Sequence, residues 1–311
     1  MHFVNFLLVN EMEKKIFLSL LILYFFFLQW YGWNEESHFA LVRAIVDEKR
    51  FEIDSFANQT GDRAFFKNHY YTDKDPGLAF LSSFPYSTWK LIYTFFPSEF
   101  KTKYKEKEEY VTDVLDSVKI IAYVDRGFFI FTSMIILTFL TSSLFTSLTA
   151  ILIYKISRYF LNEYQSAFLA MSYGIATLAF PYALHFMSHA AAAFFSFFSF
   201  FLLFSQKIKR EAKKIMFLAG IFSAFSIVID KSLFLISLFL IFYSFIFRER
   251  RFFLLGFSLA ILPLFLYNAS TFKGIFEFGS AYIDREIYRS AYPQSTFSVK
   301  IIKAGLGTEL E

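Results

Sequence analysis

The sequence predicts an all-α polytopic membrane protein, with about seven transmembrane helices and a long first loop outside the bilayer. Composition is the first reason: 56% of the 311 residues are hydrophobic, 48 are Phe, and mean hydropathy is +0.44. The second is that several apolar runs approach or exceed the roughly 17–20 residues a helix needs to cross about 30 Å of hydrocarbon. The third is that Lys and Arg are confined to alternate connecting segments, as the positive-inside rule requires.

The first run, "IFLSLLILYFFFLQW" (16–30), follows "EMEKK". The "LQWYGWN" after it is bulky and aromatic and has no small-residue cleavage site. The run therefore reads as an uncleaved anchor with Trp30, Tyr31 and Trp33 at the interface. Residues 1–33 form this first unit, and 34–125 form a polar-to-mixed segment too long for an ordinary connection, a length that usually marks function. Within that segment, "ESHFALVRAIVDEKRFEI" has helical spacing and predicts an amphipathic helix on the membrane surface. The stretch 78–97, interrupted by Pro85 and Lys90, reads as an interfacial helix pair rather than a span. "SEFKTKYKEKEEY" (98–110) is charged and solvated.

Residues 126–268 form a six-helix bundle, with spans at 127–153, 164–183, 186–205, 215–229, 232–247 and 252–268. The last two are short. Lys14, Lys15, Lys155, Arg158, "QKIKREAKK" (206–214) and "RERR" (248–251) all fall on one side, which becomes the cytoplasm. The 34–125 loop and the tail 269–311 then face outward from the plasma (cytoplasmic) membrane. The net charge of +4 is concentrated on the cytoplasmic side, so it reads as topology and not nucleic-acid binding. With no cysteine, the chain has no disulfide, thiolate nucleophile or Cys metal site.

Three groups carry candidate chemistry. "WNEESHF" (33–39) places Glu35 and Glu36 just outside the first span, where a carboxylate can serve as general base toward an acceptor hydroxyl. Spacing alone is better met by Asn34 as a helix cap, with two acids complementing the dipole. "GDRAFFKNHYYTDKDPG" (61–77) crowds Asp62, Arg63, Lys67, Asp73, Lys74 and Asp75. Its Pro-Gly implies a tight turn holding Lys74 and Arg63 toward a phosphate. Asp62 and Asp73 would orient those cations, act as bases or bind a divalent ion. The same pattern also describes a solvated loop of ion pairs. The third group is "FPYALHFMSHA" (180–190) with "VIDKS" (228–232), where His189 reads as a hydrogen-bonded structural residue and Asp230–Lys231 as a turn ion pair. No phosphate-cradling Gly-rich loop, His-Glu-x-x-His or Gly-x-Ser-x-Gly occurs.

In order, "WNEESHFALVRAIVDEKRFEID" (33–54), "TGDRAFF" (60–66), "HYYTDKDPGLAFLSSFPY" (69–86), "GIATLAFPYALHFMSHAAAA" (174–193) and "LPLFLYNASTFKGIFEFG" (262–279) resemble the GT-C superfamily of membrane glycosyltransferases. The likeness is to the family-39-like branch, related to dolichyl-phosphate-mannose protein mannosyltransferases and the aminoarabinose transferase. "YYTDKDPG" is the specific part. The resemblance implies transfer of a sugar from a polyprenyl-phosphate donor (dolichyl- or undecaprenyl-type) to a lipid, glycan or protein acceptor outside the cytoplasm, with inversion. It implies Glu35 or Glu36 as base, Asp62 and Asp73 in support, Lys74 on the donor phosphate, and Arg63 and His189 as further phosphate or acceptor contacts. Family members differ in metal use, so the metal stays unassigned. His38 stands where relatives often carry Arg, "TFKG" replaces Phe-Gly, and relatives continue through further spans, so a C-terminally truncated chain is expected. The competing class is a lipid-carrier-binding protein without catalysis, or a transporter; transport would call for paired discontinuous helices and mid-span charges.

Overall fold

The computed structural model describes residues 10–29, 32–103, 107–111, 120–125, 127–205 and 212–284. Asn10 opens α1 (Glu11–Phe27): its side chain accepts from the Glu13 amide while the Glu13 carboxylate accepts from the Asn10 amide. The two exchange bonds as a capping box. Trp30 and Tyr31 of the expected interfacial belt lie outside the described residues, as do residues 206–211 of the basic segment.

The loop after α1 departs most from expectation. It begins with α2 (Trp33–Arg43), which continues into a π-helical turn at Ala44–Glu48. Every residue of α2 from Glu35 to Val42 is buried, so this is no surface-lying amphipathic helix. Polar and apolar faces are both covered, because the loop folds over it. A 3₁₀ turn at Asp54–Gln59 leads to a hairpin, β1 (Arg63–Phe66) and β2 (His69–Thr72), paired from Arg63↔Thr72 to Phe66↔His69. Lys67 and Asn68 both take positive φ, the two-residue turn that fits a right-twisted hairpin. The loop is therefore mixed α and β. Most of the stretch 78–97 is one continuous helix, α3 (Gly77–Thr94), running through Pro85. The short α4 (Ser98–Lys103) follows, and then a second hairpin, β3 (Lys107–Val111) with β4 (Ile120–Asp125).

The bundle starts with α5 (Gly127–Thr138), a π turn (Phe139–Ser143) and α6 (Leu144–Ser157), a continuous 31-residue rod. At 1.5 Å per residue it is about 46 Å long. That exceeds the hydrocarbon thickness, and its first turns pack on α3 through Phe128 and Phe129 against Tyr93. The expected span 164–183 is broken into α7 (Glu163–Ala176) and α8 (Ala179–Leu184). Next come α9 (Ser188–Ser205), α10 (Ala212–Ile229), a 3₁₀ turn at Lys231–Leu233 with α11 (Phe234–Ser244), and α12 (Arg250–Thr271). At 22 residues, α12 is longer than the 17 expected.

Among the described residues, three helical stretches are long and apolar enough to cross a membrane: Gly127–Ser157, Ser188–Ser205 and Arg250–Thr271; Lys231–Ser244 is shorter but apolar. These helices mark a predominantly helical membrane protein. Parallel α10 and α12 touch backbone to backbone, with Gly220 against Phe253 and Gly256 against Phe217. Small residues permit this approach, which dispersion rewards where lipid supplies no hydrophobic drive. At one end of the bundle Lys155 Nζ pairs with buried Glu13 at 2.8 Å. The other end carries the loop.

Candidate functional site

At the loop-bearing end, the turn after β2 brings together the sequence block singled out above. Lys74 Nζ donates to Asp62 Oδ2 at 2.8 Å and to Asp73 Oδ2 at 3.1 Å. Thr72 Oγ1 accepts from the Lys74 amide, and Thr60 Oγ1 accepts from the Asp62 amide while donating to the Trp33 carbonyl. Ser37 on α2 closes the group, 2.7 Å from Thr72 Oγ1 and donating to Asp73 at 3.3 Å. Burial alone would pull the ammonium of Lys74 down, but the flanking carboxylates hold it above its ordinary value. Burial, with the charge of Asp62, pushes Asp73 up against the pull of Lys74. Lys74 is thus a fixed cation between two acids, and the loop is not a solvated set of ion pairs.

The Pro-Gly pair acts differently from the tight turn expected. Pro76 is the N-cap of α3 and Gly77 its first residue. A side chain on Gly77 would meet Val228 and Ile229 backbone atoms of α10 at 2.5 Å. Gly77 is where the loop docks on the bundle. Asp75 completes the joint, accepting from the Lys231 amide at 2.8 Å and from its Nζ at 3.3 Å. Burial pushes the Asp75 carboxyl up to about 6, with Lys231 opposing.

Two histidines flank the short connection from α8 to α9. His185 Nδ1 lies 2.5 Å from Glu35 Oε1, and His189 Nδ1 lies 2.8 Å from Asp230 Oδ2. Asp230 also accepts from Ser188 and from the Ser232 hydroxyl and amide. Although burial opposes it, His189 and Ser232 hold that carboxyl well below the usual range. His38 is fully buried against Phe186, and its Nδ1 has no hydrogen-bond partner in the described structure. Burial, then the charges of Lys74 and His189, push its imidazole down to about 3, so it is neutral.

The remaining candidates sit as follows. Glu36 is buried on α2 beside Glu35. Arg63 is engaged away from Lys74: its guanidinium donates to Asp284 and the Ala57 carbonyl and stacks over Tyr70. It ties β1 to the segment after α12. Lys67 stands at the hairpin tip. Asp62 and Asp73, considered above as metal ligands, share Lys74. Among the described residues no group of three or more His, Cys, Asp or Glu is placed to hold a metal ion.

Sequence reasoning passed over His185, and read Asp230 and Lys231 as one turn pair. Each instead reaches a different partner: Asp230 holds His189 and Lys231 holds Asp75. The four-residue spacing of His185 and His189 was the available signal. In comparisons with known proteins, no family model, curated sequence or solved structure matches this chain.

Proposed function

We propose that this protein is a membrane glycosyltransferase of the GT-C kind, moving a sugar from a polyprenyl-phosphate carrier to a hydroxyl or amine on a lipid, glycan or protein. In this reading about seven helices cross the plasma membrane, and the site faces outward. The observation that carries it is Lys74, half-buried between Asp62 and Asp73 at the one end of an apolar bundle where Glu35, His185, His189 and Asp230 also gather. A lysine with a fixed charge beside lipid-accessible helices suits a phosphate whose tail stays in the bilayer. A first-loop carboxylate, Glu35 or Glu36, supplies the negative charge that deprotonation of the acceptor calls for. Direct displacement then inverts the anomeric carbon. Lys14, Lys15, Lys155 and Arg158 at the other end support a cytoplasmic assignment for it.

The test is thermal unfolding of the detergent-purified chain with increasing polyprenyl phosphate. A ligand that binds only the folded state raises apparent stability with concentration. The expected result is a shift in wild type that Lys74→Met loses, with Lys74→Arg as the variant that keeps the cation. No shift in wild type would overturn the reading.

A further inference from the structure

We propose that His185 is the catalytic base of this site and Glu35 its positioning residue; the proposal rests on the glycosyltransferase reading above. Glu35 is the less reachable of the two: its side chain is 2% exposed against 23% for His185. Its second oxygen is packed against Gly32, where a side chain would overlap it. An acceptor arriving from water therefore meets the imidazole before the carboxylate. Glu35 Oε1 lies 2.5 Å from Nδ1, and in the tautomer in which Nδ1 donates to that oxygen the other ring nitrogen is the base. Nε2, on the opposite side of the ring, keeps its lone pair. The same arrangement recurs four residues on, where His189 is more exposed than the Asp230 that holds it.

The step balances. The acceptor O–H proton moves to His185 Nε2 as its oxygen bonds the anomeric carbon. The bond from that carbon to the phosphate oxygen breaks, and its electron pair leaves on the free polyprenyl phosphate, toward Lys74. Glu35 stays ionised and offsets the imidazolium.

The experiment uses the full chain in detergent with a panel of polyprenyl-phosphate-linked sugars. His185→Ala should lower kcat by about 10²–10⁴-fold, the usual contribution of a general base. The donor KM and carrier-induced stabilisation should be unchanged, and added imidazole should restore turnover. Glu35→Gln should lower kcat likewise. Independently of turnover, diethyl pyrocarbonate should modify His185 of the wild type, with half-exposed His69 as internal control. A kcat for His185→Ala within about threefold of wild type, a loss that imidazole does not rescue, or an unmodified His185 beside a modified His69 would overturn the assignment while leaving the transferase reading intact. Wild type that binds the carrier but transfers nothing overturns it too. Wild type that shows neither stabilisation nor transfer removes the reading beneath it.

Discussion

Gly77→Ala is the substitution that most directly tests how the loop is held on the bundle. The added methyl carbon would sit 2.5 Å from Val228 C, Val228 O and Ile229 N, against ordinary contact from 3.4 Å. These are backbone atoms within α10 and cannot swing aside. The start of α3 must therefore retreat by 3.4 − 2.5, about 0.9 Å. Asp75, two residues earlier, moves with it. Its bond from the Lys231 amide would lengthen from 2.8 Å to about 3.7 Å, beyond hydrogen-bonding range. Overpacking costs about 1–3 kcal/mol, and losing a hydrogen bond to a charged group about 1.5–3 kcal/mol. We expect a loss of roughly 2.5–6 kcal/mol, read as a fall of several degrees in detergent Tm. Gly274→Ala is the matched control, because nothing lies within 4 Å of its position. Equal Tm values for Gly77→Ala and wild type would refute the docking role of Gly77.

Three further outcomes follow from the same geometry. Lys74→Met leaves Asp62 and Asp73 buried without their shared cation, so stability should fall by about 3–5 kcal/mol; Asp62→Asn in that background should recover part of the loss in thermal unfolding. Asp75 has a folded pKa of about 6, above its ordinary 3.8. The folded state therefore favours the protonated form, and the cost of ionisation is fully present above about pH 6 and relieved as pH falls toward 4. From this group stability should rise by roughly 3 kcal/mol across that window, and Asp75→Asn should flatten the slope measured by denaturant unfolding. Gly220→Ala should force α10 and α12 apart, since its methyl would overlap the Phe253 carbonyl; a Tm equal to wild type would contradict the contact.

Helical class and the positions of the long apolar stretches were legible in the sequence because hydropathy is a local quantity: a run such as Ser188–Ser205 is apolar whatever surrounds it. So were Asp62, Asp73 and Lys74, because they cluster along the chain and a hairpin of ten residues returns one to the other. Secondary structure within the loop was less legible. The α2 segment has the spacing of an amphipathic helix, yet packing from β2, α3 and the α8–α9 connection buries all its faces.

By itself, then, the amino-acid sequence determined a helical membrane protein with its charged chemistry gathered after the first apolar run. Tertiary structure alone decided the partners. Glu35 meets His185 across 150 positions, Asp75 meets Lys231 across 156, and Arg63 meets Asp284 across 221. Such pairings arise from how helices cross and which backbones can touch, as at Gly77 on α10. No local pattern encodes them, because each partner's identity depends on the packing of elements far apart in the chain.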